Sequence, residues 1–276
     1  AHRQQSRPDI DVTKLIYIGG YGHSGSTLLE YLMASSPELV ACGEVSSSVR
    51  QRGRKAKCTC GQAAKDCPVW GPLQAKPSGL AGWSHEALTL ALFERVRRGS
   101  AAMVDSSKTP WNSLAAPFRL RREIGANFVL LHLVRDPRAV SWSAVKKAGR
   151  QGTRPLMGLR CSAAAIGWTA SNFACELFGH AYPAQYLRLR YEDLVRAPSE
   201  TMRAVFTELL PGVEWRPEEI GEGTNRHQLY GNRMRSRSLS LAKIREDTAW
   251  RREMPGAYRL LVPILTWPLG RRYGYA

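Results

Sequence analysis

Residues 15–31, reading LIYIGGYGHSGSTLLEY, constrain the fold more tightly than any other stretch of the chain. The apolar residues Leu15, Ile16, Tyr17 and Ile18 enter a turn carrying Gly19, Gly20, Gly22 and Gly25. Leu28, Leu29, Leu32 and Met33 follow at helical spacing from Ser26 and Thr27. Strand, glycine turn and helix in that order bring backbone N–H groups together at a helix N-terminus, where they hold an anion. Gly20, Gly25 and Thr27 keep the spacing of a Walker A loop, but Ser26 stands where the nucleotide-binding lysine belongs. Such a loop cradles one phosphate; it lacks the cation that reaches the β- and γ-phosphates of a metal-bound triphosphate.

The remaining chain repeats the strand–helix alternation. Short extended runs are expected at 39–41, up to Val104, at 128–134 and through QYLRLRY ending at Tyr191. Helices are expected from the N-cap Ser84 to Gly99, from Pro110 to about Arg122, from Pro137, over 162–180 and over 199–210. The run 128–134 has no polar alternation, as in a strand covered on both faces. This pattern predicts a P-loop-containing three-layer α/β/α fold with a central parallel sheet, one domain spanning residues 1–276. The polar groups after the strands are 20–27, 105–108, 135–138 and 191–193. In a parallel sheet such strand ends lie along one edge, where ligands bind.

Composition narrows the partner. The 276 residues hold 40 Lys+Arg against 23 Asp+Glu, a formal charge of +17, and arginine makes up most of the cations. Its planar fork suits phosphate and sulfate oxygens, so an anionic partner is expected: a nucleotide, nucleic acid, acidic glycan or membrane surface. No apolar run reaches the roughly 20 residues of a membrane span. The segment 260–269 contains Pro263 and Pro268 and reads as interrupted, buried core. No secretory signal opens the sequence, and a cytoplasmic location is expected. The chain begins with Ala1 rather than methionine, so a lumenal location with a removed anchor stays open.

Residues 1–12 read as a loose arm, about 50–82 as an inserted loop or lid rich in Cys, Gly and Lys, and about 221–240 as a basic loop. Cys58, Cys60 and Cys67 cluster in that insertion. The usual zinc hairpin is Cys-x₂-Cys, and no fourth ligand follows nearby, so a disulfide or free thiols are expected and no metal. None of His85, His132, His180 and His227 has a partner spacing that suggests catalysis or metal binding, and His132 is expected in the core.

With these residues in view, the chain resembles sulfotransferases that use 3′-phosphoadenosine 5′-phosphosulfate (PAPS). The run Gly22, His23, Ser24, Gly25, Ser26, Thr27 and Leu28 resembles their 5′-phosphosulfate loop, which also lacks the Walker lysine. The run 133–138, with Arg135 and then Ser143 eight positions on, resembles their 3′-phosphate motif. The pattern is similar to tyrosylprotein and carbohydrate sulfotransferases in particular. That resemblance implies Glu44 as the acceptor-activating base, and Lys108 beside the transferring group. It also implies Tyr191 packed on adenine, and a basic loop with Arg235 and Arg237 that closes over the nucleotide. Lys147, one turn beyond Ser143, is read either as a third contact to the 3′-phosphate or as a solvated helix-face lysine.

The implied reaction moves a sulfuryl group from PAPS to a hydroxyl of a glycan, lipid, metabolite or protein tyrosine, without metal, nucleic acid or membrane span. Many members carry Lys or Arg where this chain has His23. Either His23 is a protonated cation, or it is a neutral donor while Lys108 supplies the charge. Two rivals stay open: a degenerate P-loop nucleotide kinase with Asp105 or Asp136 as its metal aspartate, and a basic nucleic-acid-binding protein. The latter lacks zinc-finger and aromatic RNP patterns.

Overall fold

A computed structural model describes residues 13–51, 56–74, 79–110, 113–149, 156–216, 225–232, 235 and 240–275. Its strands are β1 (Lys14–Gly19), β2 (Leu39–Gly43), β3 (Ala102–Asp105), β4 (Phe128–Val134) and β5 (Tyr186–Arg190). They form one sheet in the order β2-β3-β1-β4-β5. Every pairing is parallel, with Tyr17 opposite Asp105 on one side of β1 and opposite Leu130 on the other. The helices are α1 (Ser26–Met33), α2 (Val45–Arg50), α3 (Gly71–Gln74), α4 (His85–Val96), α5 (Ala116–Ile124), α6 (Pro137–Gly149), α7 (Met157–Ala181), α8 (Tyr191–Arg196), α9 (Pro198–Leu209), α10 (Trp250–Glu253) and α11 (Gly256–Arg272).

Side chains alternate along each strand, so each face of the sheet builds its own core. Leu15, Tyr17, Phe128 and Leu130 pack with Leu88 and Leu92 of α4, Leu120 of α5 and Phe178 of α7. Ile16, Ile18, Val129 and Leu131 pack with Leu29 and Leu32 of α1 and Val205 and Phe206 of α9. All seven residues of β4 are buried, which is why its sequence shows no polar alternation. The three-layer α/β/α architecture expected from the sequence is the one observed.

β1 is central: the chain runs from it to the edge strand β2, returns to β3 beside β1, and then crosses to β4 on the other side. The carboxyl ends of β3 and β4 therefore flank the turn after β1, the usual place for a ligand crevice. In spatial order the strand ends present Glu44, Lys108, the glycine turn, Arg135 and Tyr191.

Two expectations need correction. The segment 260–269 is uninterrupted helix: α11 runs through Pro263 and Pro268. It is also not buried core, since Leu260, Ile264 and Trp267 are 72%, 71% and 59% exposed while Val262 and Leu269 face inward. The insertion, for its part, is more than a covering loop. Cys58, Cys67, Trp70 and Leu80 are buried in the same core as β1 and α4. The arm at 1–12 lies outside the described residues.

Candidate active site

The turn after β1 is held so closely that glycine is required in it. Gly20 has φ +109°, and a Cβ there would sit 2.4 Å from the Leu133 carbonyl oxygen. The strap after β3 grips the same residue: Thr109 N–H donates to Gly20 O at 3.0 Å, and Gly20 N–H donates to Thr109 Oγ1 at 3.1 Å. Gly25, with φ +96°, caps α1, and a Cβ on it would meet the Tyr191 ring at 2.5 Å. Backbone N–H groups of the first helical turn thus converge on the crevice. The Ser24 hydroxyl beside them is buried with no protein partner.

Among the described residues, His23 (φ 67°) and Lys108 (φ 68°) are the non-glycine residues with left-handed backbone. Such conformations cost on the order of 1–3 kcal/mol and concentrate at functional sites. Both residues lie on strand-end segments bordering the crevice.

On the β4 side, Arg135 is 6% exposed and its guanidinium lies 4.3 Å from the Tyr191 ring centroid. Its Nη1 donates to His23 O at 3.0 Å and its Nη2 to Asp247 O at 3.2 Å, while Nε is buried without a partner. Ser143 of α6 joins the group, with Oγ 3.1 Å from His23 Nδ1. Burial first, then the nearby charges of Lys147, Lys108 and Arg135, push the His23 pKa down to about 4. In the protein alone His23 is therefore neutral at pH 7.

On the β2 side, Glu44 precedes α2, and its Oε1 accepts from Lys108 Nζ. Its Oε2 accepts from Ser47 Oγ at 2.8 Å, and Arg50 Nη2 donates to Ser47 Oγ at 2.7 Å. Burial opposes ionisation of Glu44, but the Lys108 ammonium and the Ser47 hydroxyl outweigh it and hold the carboxyl below its ordinary range. A cavity of about 250 Å³ adjoins this group, lined by Ser46, Arg50, His85, Glu86 and Arg119 among others. A carboxylate, an ammonium, an imidazole and an anion cradle along one crevice suit transfer of an anionic group to a hydroxyl.

The sulfotransferase family model matches residues 16–217. The chain belongs to the sulfotransferase family. Solved sulfotransferases share its fold. A domain from the curacin biosynthetic pathway aligns at TM-score 0.61 and 19% identity, covering 96% of this chain and 98% of that one. The domain of the Synechococcus PCC 7002 olefin synthase aligns at TM-score 0.52 and 19% identity, covering 94% of each chain. A mouse sulfotransferase complexed with PAP aligns at TM-score 0.51 and 10% identity, covering 92% of this chain and 82% of that one. No curated protein sequence matches the chain.

In this sulfotransferase the residues singled out from sequence fall into two touching groups. Gly22 to Leu28, Arg135, Ser143 and Tyr191 adjoin through His23, while Glu44 and Lys108 meet in an ion pair. Lys147 is exposed on α6. Arg235 sits elsewhere: its Nη1 donates to Gln228 O at 3.1 Å, in a segment bridged to β2 at the opposite edge of the sheet from Tyr191. Arg237 lies outside the described residues. Both aspartates named for the kinase reading have protein partners. Asp105 is committed to His85, Thr89 and Ser107, and Asp136 to Arg138 through both oxygens.

Sequence reasoning passed over several groups. His85 Nε2 lies 3.0 Å from Asp105 Oδ2, a pairing that the spacing of the two residues does not announce, and its ring borders the cavity. Glu30, buried in α1, accepts from Gly43 N–H at 2.6 Å and Ser106 Oγ at 2.7 Å, bracing the backbone just before Glu44. Glu192 accepts from Asp136 N–H at 3.0 Å and from Tyr275 Oη at 2.6 Å, bracing the segment after Arg135. Of the two cysteine expectations, free thiols are what is found: Cys58, Cys60 and Cys67 are unbridged, as are Cys42, Cys161 and Cys175. The fourth ligand missing near Cys58, Cys60 and Cys67 in the sequence is supplied in space by His227. His132 is the hydrogen-bonded core residue expected, held by Tyr186 and Asn172.

Proposed function

We propose that this sulfotransferase uses PAPS as donor and transfers its sulfuryl group to the hydroxyl of an acceptor entering beside Glu44. The observation that carries the reading is the meeting of the lysine-less turn with Arg135 and Ser143 through His23, which puts two anion cradles side by side. The buried, unpartnered Ser24 Oγ and Arg135 Nε fit groups kept for an anion. When bound, PAPS supplies the sulfuryl group and leaves as adenosine 3′,5′-bisphosphate.

The backbone and side chains of residues 22–28 hold the 5′ end. Arg135 and Ser143 hold the 3′-phosphate by charge-assisted bonds, with Lys147 as a third contact. Tyr191 carries the Arg135 guanidinium and contacts adenine once that group turns to the phosphate. Arg235 and Arg237 belong to the segment assigned to close over the nucleotide. From its present contacts beside β2, Arg235 reaches that position only by a movement of the segment. Glu44, held ionised, takes the proton of the acceptor hydroxyl at a carboxylate oxygen. Lys108 and His23 would offset the negative charge that grows on the leaving phosphate oxygen; loss of one such donor typically costs about 10²–10³-fold in rate. The acceptor lies in the cavity beside Glu44, where Arg50 favours a polar or acidic molecule and Arg119 is paired with Glu86 on the same wall.

Thermal unfolding with adenosine 3′,5′-bisphosphate, Mg-ATP or an oligonucleotide separates the readings. The bisphosphate alone is expected to raise Tm strongly, and Arg135→Ala to abolish the rise. A larger shift with Mg-ATP returns the kinase reading; salt-sensitive stabilisation by the oligonucleotide alone returns the nucleic-acid reading.

A further inference from the structure

On the far side of β2 from the crevice, Cys58, Cys60, Cys67 and His227 each present one ligand atom, and these four atoms lie within 4.8 Å of one another. His227 Nδ1 is 3.2 Å from Cys67 Sγ and 4.0 Å from Cys58 Sγ. Cys58, Cys67 and His227 are buried and Cys60 is partly exposed. We propose that these four residues bind one zinc ion in a closed structural site.

The dimensions are those of a zinc tetrahedron before the ion draws its ligands in. Zn–S bonds of about 2.3 Å and Zn–N bonds of about 2.0–2.1 Å give ligand–ligand edges of roughly 3.5–3.8 Å. Soft thiolates with one imidazole select zinc over magnesium or calcium, and four protein ligands leave no open position for catalysis.

The surrounding backbone is built for such a site. Cys58 and Cys60 are brought to one side by a tight turn, with Gly61 N–H donating to Cys58 O at 3.0 Å and Cys58 N–H to Gln62 O at 2.9 Å. Cys67 lies in a following turn, its N–H on Ala63 O at 3.0 Å and its carbonyl accepting from Gly71 N–H at 2.7 Å. Backbone N–H groups of Val69 and Trp70 are directed at Cys67 Sγ, and that of Cys60 at Cys58 Sγ. Donors of this kind orient metal-bound thiolates. His227 is fixed at both backbone ends: its N–H donates to Ala41 O at 2.7 Å, and its carbonyl accepts from Trp70 Nε1.

The position gives the ion a task. Thr59 N–H donates to Gln228 O at 3.1 Å, and Thr59 Oγ1 donates to Arg226 O at 2.7 Å. The site therefore clasps the insertion to the segment around His227. That segment in turn lies along β2 through Ala41 and sets Gln228 against Gly43, next to Glu44. A zinc here ties a Cys-rich insertion without regular periodicity to the strand that carries the candidate base, far from the Arg135 side of the crevice.

The test is metal analysis of the full chain, purified without a chelating tag and under reduction. About one zinc per chain is expected, released by a mercurial that blocks thiols. His227→Ala and Cys60→Ser should each lose most of the metal, whereas His227→Cys, a four-thiolate site, and Cys161→Ala, outside the cluster, should keep it. Cobalt loading should give the intense visible bands of a tetrahedral thiolate site, altered by His227→Cys. Removal of the ion should lower Tm by on the order of 10 °C. A folded wild-type chain that holds little zinc and shows no cobalt bands overturns the proposal. So does stoichiometric iron, or a disulfide joining Cys58 and Cys67 in peptides from unreduced protein. Should His227→Ala fail to fold, the wild-type zinc content and the cobalt spectra of wild type and His227→Cys still decide.

Discussion

His23 sits where the two anion cradles join, and its neutrality in the protein alone makes its role measurable. Burial and the cations around it hold its pKa near 4. An incoming phosphate or sulfate favours the imidazolium and opposes those cations. If His23 serves as a cation, binding of adenosine 3′,5′-bisphosphate draws a proton from solution at pH 7, and affinity rises as pH falls from 7.5 toward 5.5. Calorimetry in buffers of different ionisation enthalpy reads that uptake, which His23→Gln should remove. A wild-type uptake of zero assigns His23 as a neutral donor and leaves the charge to Lys108. At this scale the sequence was legible where chemistry is local. The turn glycines, Arg135 and Ser143 belong to short patterns at strand–helix junctions, and the structure brings them together. It was illegible where partners come from distant segments, as with His85 and Asp105 or His227 and Cys67. Nor does any propensity announce a left-handed lysine at position 108.

At the scale of elements, α1 does more than supply a helix N-terminus. Its Glu30 reaches the end of β2, and burial pushes the Glu30 pKa up to about 7 despite hydrogen bonds from Ser106 and Gly43. The folded chain thus keeps a proton that the unfolded chain releases between about pH 4.5 and 7. Stability must therefore fall as pH rises through that window, by roughly 3 kcal/mol at most above it. Glu30→Gln preserves the shape and removes the titration. Its Tm should exceed that of wild type at pH 8, with the gap closing at pH 5; an equal gap at both values would mean that Glu30 is ionised at little cost. The helices themselves were legible from capping and period. Ser84 accepts from Ala87 N–H at 3.1 Å, as its N-cap reading requires, and β4 spans the expected residues. Helix α11 was misread because two prolines suggested an interruption. Proline removes one backbone donor and crowds the preceding turn, but α11 is anchored by Val262, Thr266 and Leu269 and continues through both. Its opposite side carries Leu260, Ile264 and Trp267 outward, so an apolar run was no guide to burial there.

For the whole molecule, alternation of strands and helices foretold a parallel sheet, but strand order depends on which edges pair, and no local pattern encodes that. The order places β1 between β3 and β4, which is why residues as distant in sequence as Lys108 and Arg135 flank one turn. The C-terminal tail completes the arrangement. After α11, Tyr273 and Tyr275 pack with Val134 and Trp168, and Tyr275 Oη donates to Glu192 Oε2 at 2.6 Å. The other oxygen of Glu192 accepts from Asp136 N–H, and Arg138 Nη2 donates to Tyr275 O at 3.3 Å. The end of the chain is thereby wired to the residue after Arg135. Tyr275→Phe removes one donor from a buried carboxylate while keeping the ring, a loss of about 1–3 kcal/mol. It should lower Tm and weaken bisphosphate binding severalfold by loosening the Arg135 segment. The Glu44 side, reached through β2 and β3, should be spared, so that transfer at saturating donor changes little. Calorimetric affinity, Tm and the saturated rate measured together decide this. A variant with wild-type affinity would reduce the tail to packing, whereas one with normal affinity but a slowed saturated rate would mean that the two halves of the crevice are coupled through the sheet.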